Sequence, residues 1–321
     1  MNFSLQQGLA VALAGGLFYA CLPRPSRVRR GQIAIITGGS RGLGLALAHR
    51  FGEAGVRLVL AAQNRDELEK AQRSLLESGS VGDARDILLF ACDLTDRGHA
   101  ERLIEAAMDG FGQLDILINN AGIIEVGPVE DMSVEVFERT MAVNFFAALY
   151  ATKAALPYLL GRNAGAIVNI ASVGGKVAVP HLLPYVAAKF ALTGFSEGLH
   201  AEIRHKGVRV TTVCPGLMRT GGEVHAHFHG QSEKERAWFQ WSARTPGLAA
   251  SVEHAAKTIF AAVNEGRAEI TITPQAWLAA RFAGLAPETT QAMSALISRY
   301  LLPDPAMEPK TTASWMHQPT S

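Results

Sequence analysis

A phenol and an ammonium four residues apart, Tyr185 and Lys189, follow a serine, Ser172, by thirteen and seventeen positions in the stretch SVGGKVAVPHLLPYVAAK. On a helix, positions i and i+4 share a face, so Tyr185 and Lys189 can serve one site. A cation beside a phenol favours the phenolate and draws its pKa from about 10 toward working pH. A tyrosine poised in that way exchanges a proton with a carbonyl or alcohol oxygen, and Ser172 can hydrogen-bond the same oxygen. Spacing alone also describes an ordinary pair of helix-surface neighbours, so the chemistry depends on what the rest of the chain supplies.

Residues 32–37 (QIAIIT) form a short β-branched run, followed at once by GGSRGLG at 38–44 and then by an apolar pattern of Leu45, Ala48, Phe51 and Gly52. Strand, glycine-rich turn and helix are the context a dinucleotide-binding fingerprint requires. The helix amides and the positive dipole end receive a pyrophosphate, and the glycines let the backbone approach it. A second strand, 56–62 (VRLVLAA), ends in Ala62, Gln63, Asn64 and Arg65, with no acid to meet a ribose 2′-hydroxyl. Arg41, inside the glycine turn, is placed to meet a 2′-phosphate. NADP(H) is therefore the expected cofactor, with NAD(H) also admitted.

Helical and apolar extended segments then alternate: helix 65–78, strand 86–92, helix 97–111, strand 114–119, a long helix 134–160, strand 166–171, the helix of Tyr185 and Lys189, strand 208–214 and a late strand 269–273. This predicts an α/β, doubly wound parallel sheet covered by helices on both faces. With no internal repeat or linker, a single domain over 31–274 is expected, with N- and C-terminal extensions.

In this order the motifs resemble the short-chain dehydrogenase/reductase family in its shorter form. They are TGGSRGLG at 37–44, Asp93-Leu94, NNAG at 119–122, Val143-Asn144, Ser172, YVAAK at 185–189 and PGLMRT at 215–220, spread over about three-quarters of the chain. The resemblance implies a Rossmann-type sheet of about seven parallel strands. It implies that Gly38, Ser40, Arg41, Gly42 and Leu43 line the diphosphate turn, with Gln63 beside the adenosine ribose and Asp93 and Leu94 at adenine. Asn120, Ala121 and Gly122 would run along the cofactor, and Pro215, Gly216 and Thr220 would cover the nicotinamide side. Asn144, Ser172, Tyr185 and Lys189 form the implied catalytic set, with Tyr185 and Lys189 also touching the cofactor. In reduction, Tyr185 protonates the carbonyl oxygen, Lys189 holds the phenolate and the ribose hydroxyls, Ser172 orients the substrate oxygen, and Asn144 holds a water that returns the proton through Lys189. Members that prefer NADP often carry Arg where this chain has Gln63. The implied partner is a small carbonyl or alcohol compound, lipid-like in class, and a homodimer or homotetramer is the implied assembly. An NAD-linked alcohol dehydrogenase of the same fold and a non-catalytic nucleotide-binding scaffold are the competing readings. The intact set of four weighs against the scaffold.

The 321 residues carry a net charge of +1, with 48% hydrophobic and 18% charged. That balance leaves no electrostatic footprint for nucleic acid. Cys21, Cys92 and Cys214 form no metal or CxxC pattern. Residues 8–22 (GLAVALAGGLFYACL) are apolar and uncharged, and four arginines follow within 23–30. The run is short for a spanning helix, and it lacks the basic start of a cleaved leader. A membrane anchor or interfacial helix is expected, with the domain on the cytoplasmic side. A helix packed on the body of a cytoplasmic enzyme and a removed segment are the alternatives.

Residues 221–246 fall where the family keeps its substrate loop. They include His225, His227 and His229 at alternate positions, with Trp238, Phe239 and Trp241. No metal is expected there, and the stretch reads as a mobile, solvated lid. In the 275–302 extension, Trp277, Leu278, Phe282 and Leu285 make one apolar face and Met293, Leu296, Ile297, Tyr300 and Leu301 another. Packing on the enzyme's own body is the simplest expectation; a membrane surface, the site mouth or a partner subunit would also take such faces. Residues 303–321 read as a disordered tail.

Overall fold

In the structure, a computed structural model that describes residues 27–219, 226–244 and 249–306, β-branched and leucine-rich runs form the central strands. These are β1 (Ile33–Thr37), β2 (Arg57–Ala62), β3 (Ile87–Ala91), β4 (Ile116–Asn119), β6 (Gly165–Ile170), β7 (Val208–Cys214) and β11 (Glu269–Thr271). They build one seven-stranded sheet in the order β11-β7-β6-β4-β1-β2-β3. Every pairing in it is parallel, with Ile35 opposite Val59 on one side and Leu117 on the other. The expected doubly wound α/β sheet is the one observed.

Parallel strands are buried on both faces, which is why they read as continuous apolar runs rather than alternating ones. Side-chain alternation divides β1 between two cores. Ala34 and Ile36 face α1 (Gly42–Glu53), α2 (Arg65–Glu77) and α8 (Val252–Glu265). Ile33 and Ile35 face α3 (Arg97–Phe111), α5 (Ala147–Gly161) and α6 (Leu183–Ile203). Phe51 and Phe260 lock α1 to α8 edge-to-face at 5.0 Å; fully buried Phe51 contributes about 1.5–3 kcal/mol. Asn64, Asp96 and Ser251 cap α2, α3 and α8 by accepting from Glu67, His99 and His254 amides. Gly112 and Gly266 end α3 and α8 in the left-handed conformation.

The long helix expected over 134–160 is interrupted. α4 (Val134–Met141) runs into a π-helical turn, Ala142–Phe146, before α5 continues with Pro157 inside it. A π turn widens the helix by one residue and re-aims a side chain; here that side chain is Asn144. The run Val134–Gly161 is long and apolar enough to cross a membrane by composition, yet α5 is a core helix packed on α3. Two short pairs outside the main sheet have no counterpart in the sequence pattern: β5 (Glu125–Val126) with β9 (His227–Phe228), and β8 (Met218–Arg219) with β10 (Ala250–Ser251).

Two expectations change in the C-terminal third. The described part of the expected solvated lid is ordered by β9 and α7 (Ser232–Arg244), with Ala226, Glu235 and Phe239 buried. The extension forms α9 (Pro274–Leu285) and α10 (Pro287–Leu301), but its apolar faces do not pack on the body: Trp277, Leu278, Met293, Leu296 and Tyr300 are exposed, and Leu285 is 86% exposed. Residues 8–22, His225, Thr220 and 307–321 lie outside the described residues.

A buried polar chain crosses the sheet. Asn119 Nδ2 donates to Thr152 Oγ1 (3.0 Å) and Asn169 Oδ1 (2.8 Å), Asn169 Nδ2 donates to Ser196 Oγ (2.9 Å), and Thr212 Oγ1 donates to Ser196 (2.7 Å). Removing the middle member leaves buried donors and acceptors unpaired. Asn169→Ala is expected to lower stability by about 2–4 kcal/mol in urea unfolding; a loss below about 1 kcal/mol would show that the chain is not a structural tie.

Candidate active site

Pro184, in the first turn of α6, fixes the start of a helix on which Tyr185 and Lys189 share a face. The strand β6 delivers Ser172 in extended backbone just ahead of a 3-10 turn, Val173–Gly175. Ser172 Oγ accepts from Gly174 N at 3.0 Å, and Val173 N donates to Pro215 O at 2.8 Å, so this loop is tied to the end of β7. A methyl group on Gly175 would stand 2.5 Å from Thr193 Oγ1 and 2.6 Å from Lys189 O. Only glycine lets the loop lie this close to α6.

Lys189 is 4% exposed and its Nζ donates to Ile170 O at 2.8 Å. Burial pulls its pKa down to about 8. The ammonium stands 5.6 Å from the centre of the Tyr185 ring. Burial pushes the Tyr185 phenol above its ordinary value, with its hydrogen bond to Ser172 pulling the other way. Burial thus acts on the phenol in the direction opposite to the one expected from a cation four residues away. The Cys214 thiol, behind the pair, is pushed by burial to about 12 and is inert.

Asn144 is 1% exposed; its Oδ1 accepts from Ile123 N and its Nδ2 donates to Ile123 O, both at 3.0 Å. Both side-chain groups are thereby engaged by one backbone unit. A methyl group on Gly122 would stand 2.6 Å from Asn144 Oδ1 and 3.7 Å from Lys189 Nζ, so Asn144, Gly122 and Lys189 meet at one point.

The glycine turn after β1 is held from the next strand. Thr37 Oγ1 accepts from the Asn120 and Ala121 amides at 2.9 and 3.0 Å, and Asn120 Nδ2 donates to Thr37 O and Gly38 O. Gly38 has φ +63°, and a side chain on Gly44 would collide with Gly38 O and Asn120. Arg41 precedes α1 without capping it by a side-chain bond. The amides of Gly42 and Leu43 stand in the first turn of α1, the kind of helix start that receives an anionic diphosphate. Gln63 bonds to Asp93, whose carboxyl burial pushes up but whose bonds from the Thr95 amide, the Thr95 hydroxyl and Gln63 hold it below the usual range. Leu94 packs into the core beside α3, and Leu43 into the one beside α8. Gly216 abuts Thr273 and Ala276 at the start of α9. These residues fit a nicotinamide dinucleotide lying across the carboxyl ends of β1 and β4, where the strand order reverses.

Several groups escaped the sequence reading. Glu67, one helical turn into α2, turns back so that its Oε2 accepts from Ser40 Oγ at 3.1 Å and its Oε1 lies 3.7 Å from Arg41 Nη1. Its place three residues after the cap Asn64 was the available signal. In the cap over the site, fully buried Glu125 meets His229 Nε2 at 2.8 Å, His227 Nδ1 at 3.2 Å and Arg139 Nη2 at 2.6 Å. The carboxylate that meets these histidines comes from β5, 104 residues before His229. Reciprocally, Glu235 of α7 meets His181 Nδ1 at 2.8 Å and accepts from Trp238 Nε1 at 2.6 Å. Val126, Ala226 and Phe239 pack between these ties, with Ile124, Leu182, Phe228 and Trp238 around them.

Comparisons with known proteins agree with this geometry. Residues 32–227 match the family described as short chain dehydrogenase. The chain is 35% identical over 251 residues to a Dehydrogenase/reductase SDR family protein 7-like of Anopheles gambiae, covering 78% of each chain. It is 37% identical to human Dehydrogenase/reductase SDR family member 7 over 61% of this chain, and spans 58% of that protein's length. A putative ketoacyl reductase of Streptomyces coelicolor is 31% identical over 75% of this chain and 93% of its own. Among solved structures, a Burkholderia phymatum short chain dehydrogenase/reductase in complex with NAD superposes with a TM-score of 0.74 at 26% identity, over 81% of this chain and 95% of that one. A single-substitution variant of actinorhodin polyketide ketoreductase with NADPH does so at 0.66 and 27%, over 77% and 98%. The chain belongs to the short-chain dehydrogenase/reductase family, oxidoreductases that interconvert alcohol and carbonyl groups with a nicotinamide cofactor.

Proposed function

We propose that this protein is a carbonyl reductase that prefers NADP(H), admits NAD(H), and acts on an apolar, lipid-like substrate. The observation that carries the reading is the convergence of Ser172, Tyr185 and Lys189 at the ends of β6 and β7, with the ammonium buried beside the phenol ring. When bound, the nicotinamide supplies the hydride. Tyr185 gives its proton to the substrate oxygen, Ser172 orients and polarises that oxygen, and Lys189 holds the resulting phenolate by charge. Asn144, fixed by the π turn next to Gly122 and Lys189, is assigned the return of the proton through water. Arg41 and Ser40 are the donors assigned to a 2′-phosphate, with Gly42 and Leu43 at the diphosphate. The aromatic cap formed by Phe228, Trp238 and Phe239 supports an apolar substrate, and the reductases among the relatives support the direction. NAD-linked alcohol oxidation is the second reading, drawing on Glu67 beside Arg41. A homodimer or homotetramer, and membrane association through 1–30, complete the proposal.

Tyr185→Phe is expected to lower turnover of a carbonyl panel by about 10²–10⁴-fold, while the dissociation constants of NADPH and NADH stay within threefold. Turnover within tenfold of the parent would remove Tyr185 as the acid.

The buried ammonium has a stability signature. Its folded pKa of about 8 lies below the unfolded value of 10.5, so below pH 8 both states are charged and the folded state bears the whole cost of burial. That cost is about 3 kcal/mol at 1.36 kcal/mol per unit. Between pH 8 and 10.5 the folded state sheds its proton first and the cost is relieved. Measured in urea against Lys189→Met, the parent should therefore gain about 2–3 kcal/mol relative to the variant from pH 7 to 10; parallel curves would place the ammonium in water.

Deleting residues 1–30 is expected to move the protein from the membrane pellet to the supernatant on centrifugation. A truncated protein that still pellets with membranes would place the contact elsewhere.

A further inference from the structure

The sequence offers no acid where β2 ends, but the fold brings one to the same place. Glu67 occupies the third position of α2, where a capping-box acid reaches back to its own cap. Here its carboxylate reaches across to the glycine turn, to the Ser40 hydroxyl and the Arg41 guanidinium. The turn is held against β2 by Gly39 N donating to Ala61 O at 3.2 Å, and α2 is set at its start by Asn64, which accepts from the Glu67 amide at 3.1 Å. Ser40 is buried, so its hydroxyl has little freedom to serve a second acceptor elsewhere.

We propose that Glu67 is a built-in counterion for the pair of donors that would otherwise receive a 2′-phosphate, and that it sets the balance between NADP(H) and NAD(H). This rests on Ser40 and Arg41 being the phosphate donors in the function proposed above. A phosphate oxygen accepting from Ser40 Oγ sits about 2.7 Å from it. Since Glu67 Oε2 is 3.1 Å from the same hydroxyl, the two acceptors come within about 6 Å of each other. A phosphate monoester carries about −1.5 to −2 at neutral pH, and like charges at that range repel. NADP(H) must therefore displace Glu67 or share its donors with it. A ribose 2′-hydroxyl brings no charge and can itself donate to the carboxylate, so NAD(H) meets no such cost. Gln63, the position where an arginine would offset Glu67, is instead engaged with Asp93. The result is a pocket with phosphate donors and an internal competitor for them.

The test is equilibrium binding of NADP⁺, NAD⁺ and 2′,5′-ADP to the full-length parent, Glu67→Gln and the double variant Glu67→Gln/Arg41→Ala, by calorimetry at low ionic strength. The glutamine keeps the size and a hydrogen-bonding oxygen for Ser40 while removing the charge. Glu67→Gln is expected to tighten NADP⁺ and 2′,5′-ADP about tenfold while NAD⁺ stays within twofold or weakens, and 0.5 M salt should shrink the gain. In the double variant the gain should vanish. An NADP⁺/NAD⁺ ratio unchanged within twofold, or NADP⁺ weakened because Glu67 aligns Arg41, overturns the proposal. Either result leaves the oxidoreductase reading standing, whereas a parent that binds none of the three ligands refutes that reading itself.

Discussion

An ammonium group held in a nearly dry pocket by one carbonyl is the constraint on which this structure turns. Lys189 donates to Ile170 O, the last residue of β6, and so ties the helix that carries Tyr185 to the strand that delivers Ser172. A charge in that position is unstable unless everything around it is placed to tolerate it. Gly175 lets the loop lie down on α6, Gly122 leaves room beside Asn144, and the π turn points Asn144 inward. The same desolvation that depresses Lys189 raises Tyr185 and Cys214. One buried environment thus disfavours charge on all three groups.

Much of this was legible in the sequence because it depends on local periodicity. The runs at 32–37 and 208–214 are apolar over most of their length, and strands buried on both faces are the ones that must read so. Glycine in the turn and the four-residue spacing of Tyr185 and Lys189 carry their own geometric meaning. What stayed hidden depends on pairs far apart in the chain. Glu125 meets His229 across 104 residues, Asn169 meets Ser196 across β6 and α6, and Glu67 reaches a turn one βα unit earlier. Spacing reports that Tyr185 and Lys189 are close but says nothing of their burial, which acts on both groups.

In the segment formed by β9 and α7, polar ties to the body accompany the packing. Two carboxylates, one on the body and one on the lid, each meet imidazole on the opposite side. The apolar cluster between them is small, so the ties rather than the packing define where the lid sits. The last described residues touch both parts: Gln231 Nε2 of the lid donates to Asp304 O, and Ala306 N donates to Asp131 Oδ2 of the body.

Val28 N donates to Asn264 Oδ1 at the end of α8, and Gly31 N to Gly55 O ahead of β2. Both contacts lie at the amino ends of the strands, whereas Gly38, Asn120, Ser172 and Pro215 all follow carboxyl ends. A five-residue strand rises about 17 Å, so the root of the N-terminal segment and the reaction point are separated by at least the depth of the sheet. A tether attached at that root would act as a stalk on the blind side of the enzyme. On the function proposed above, that root and the reaction point lie on opposite sides of the sheet.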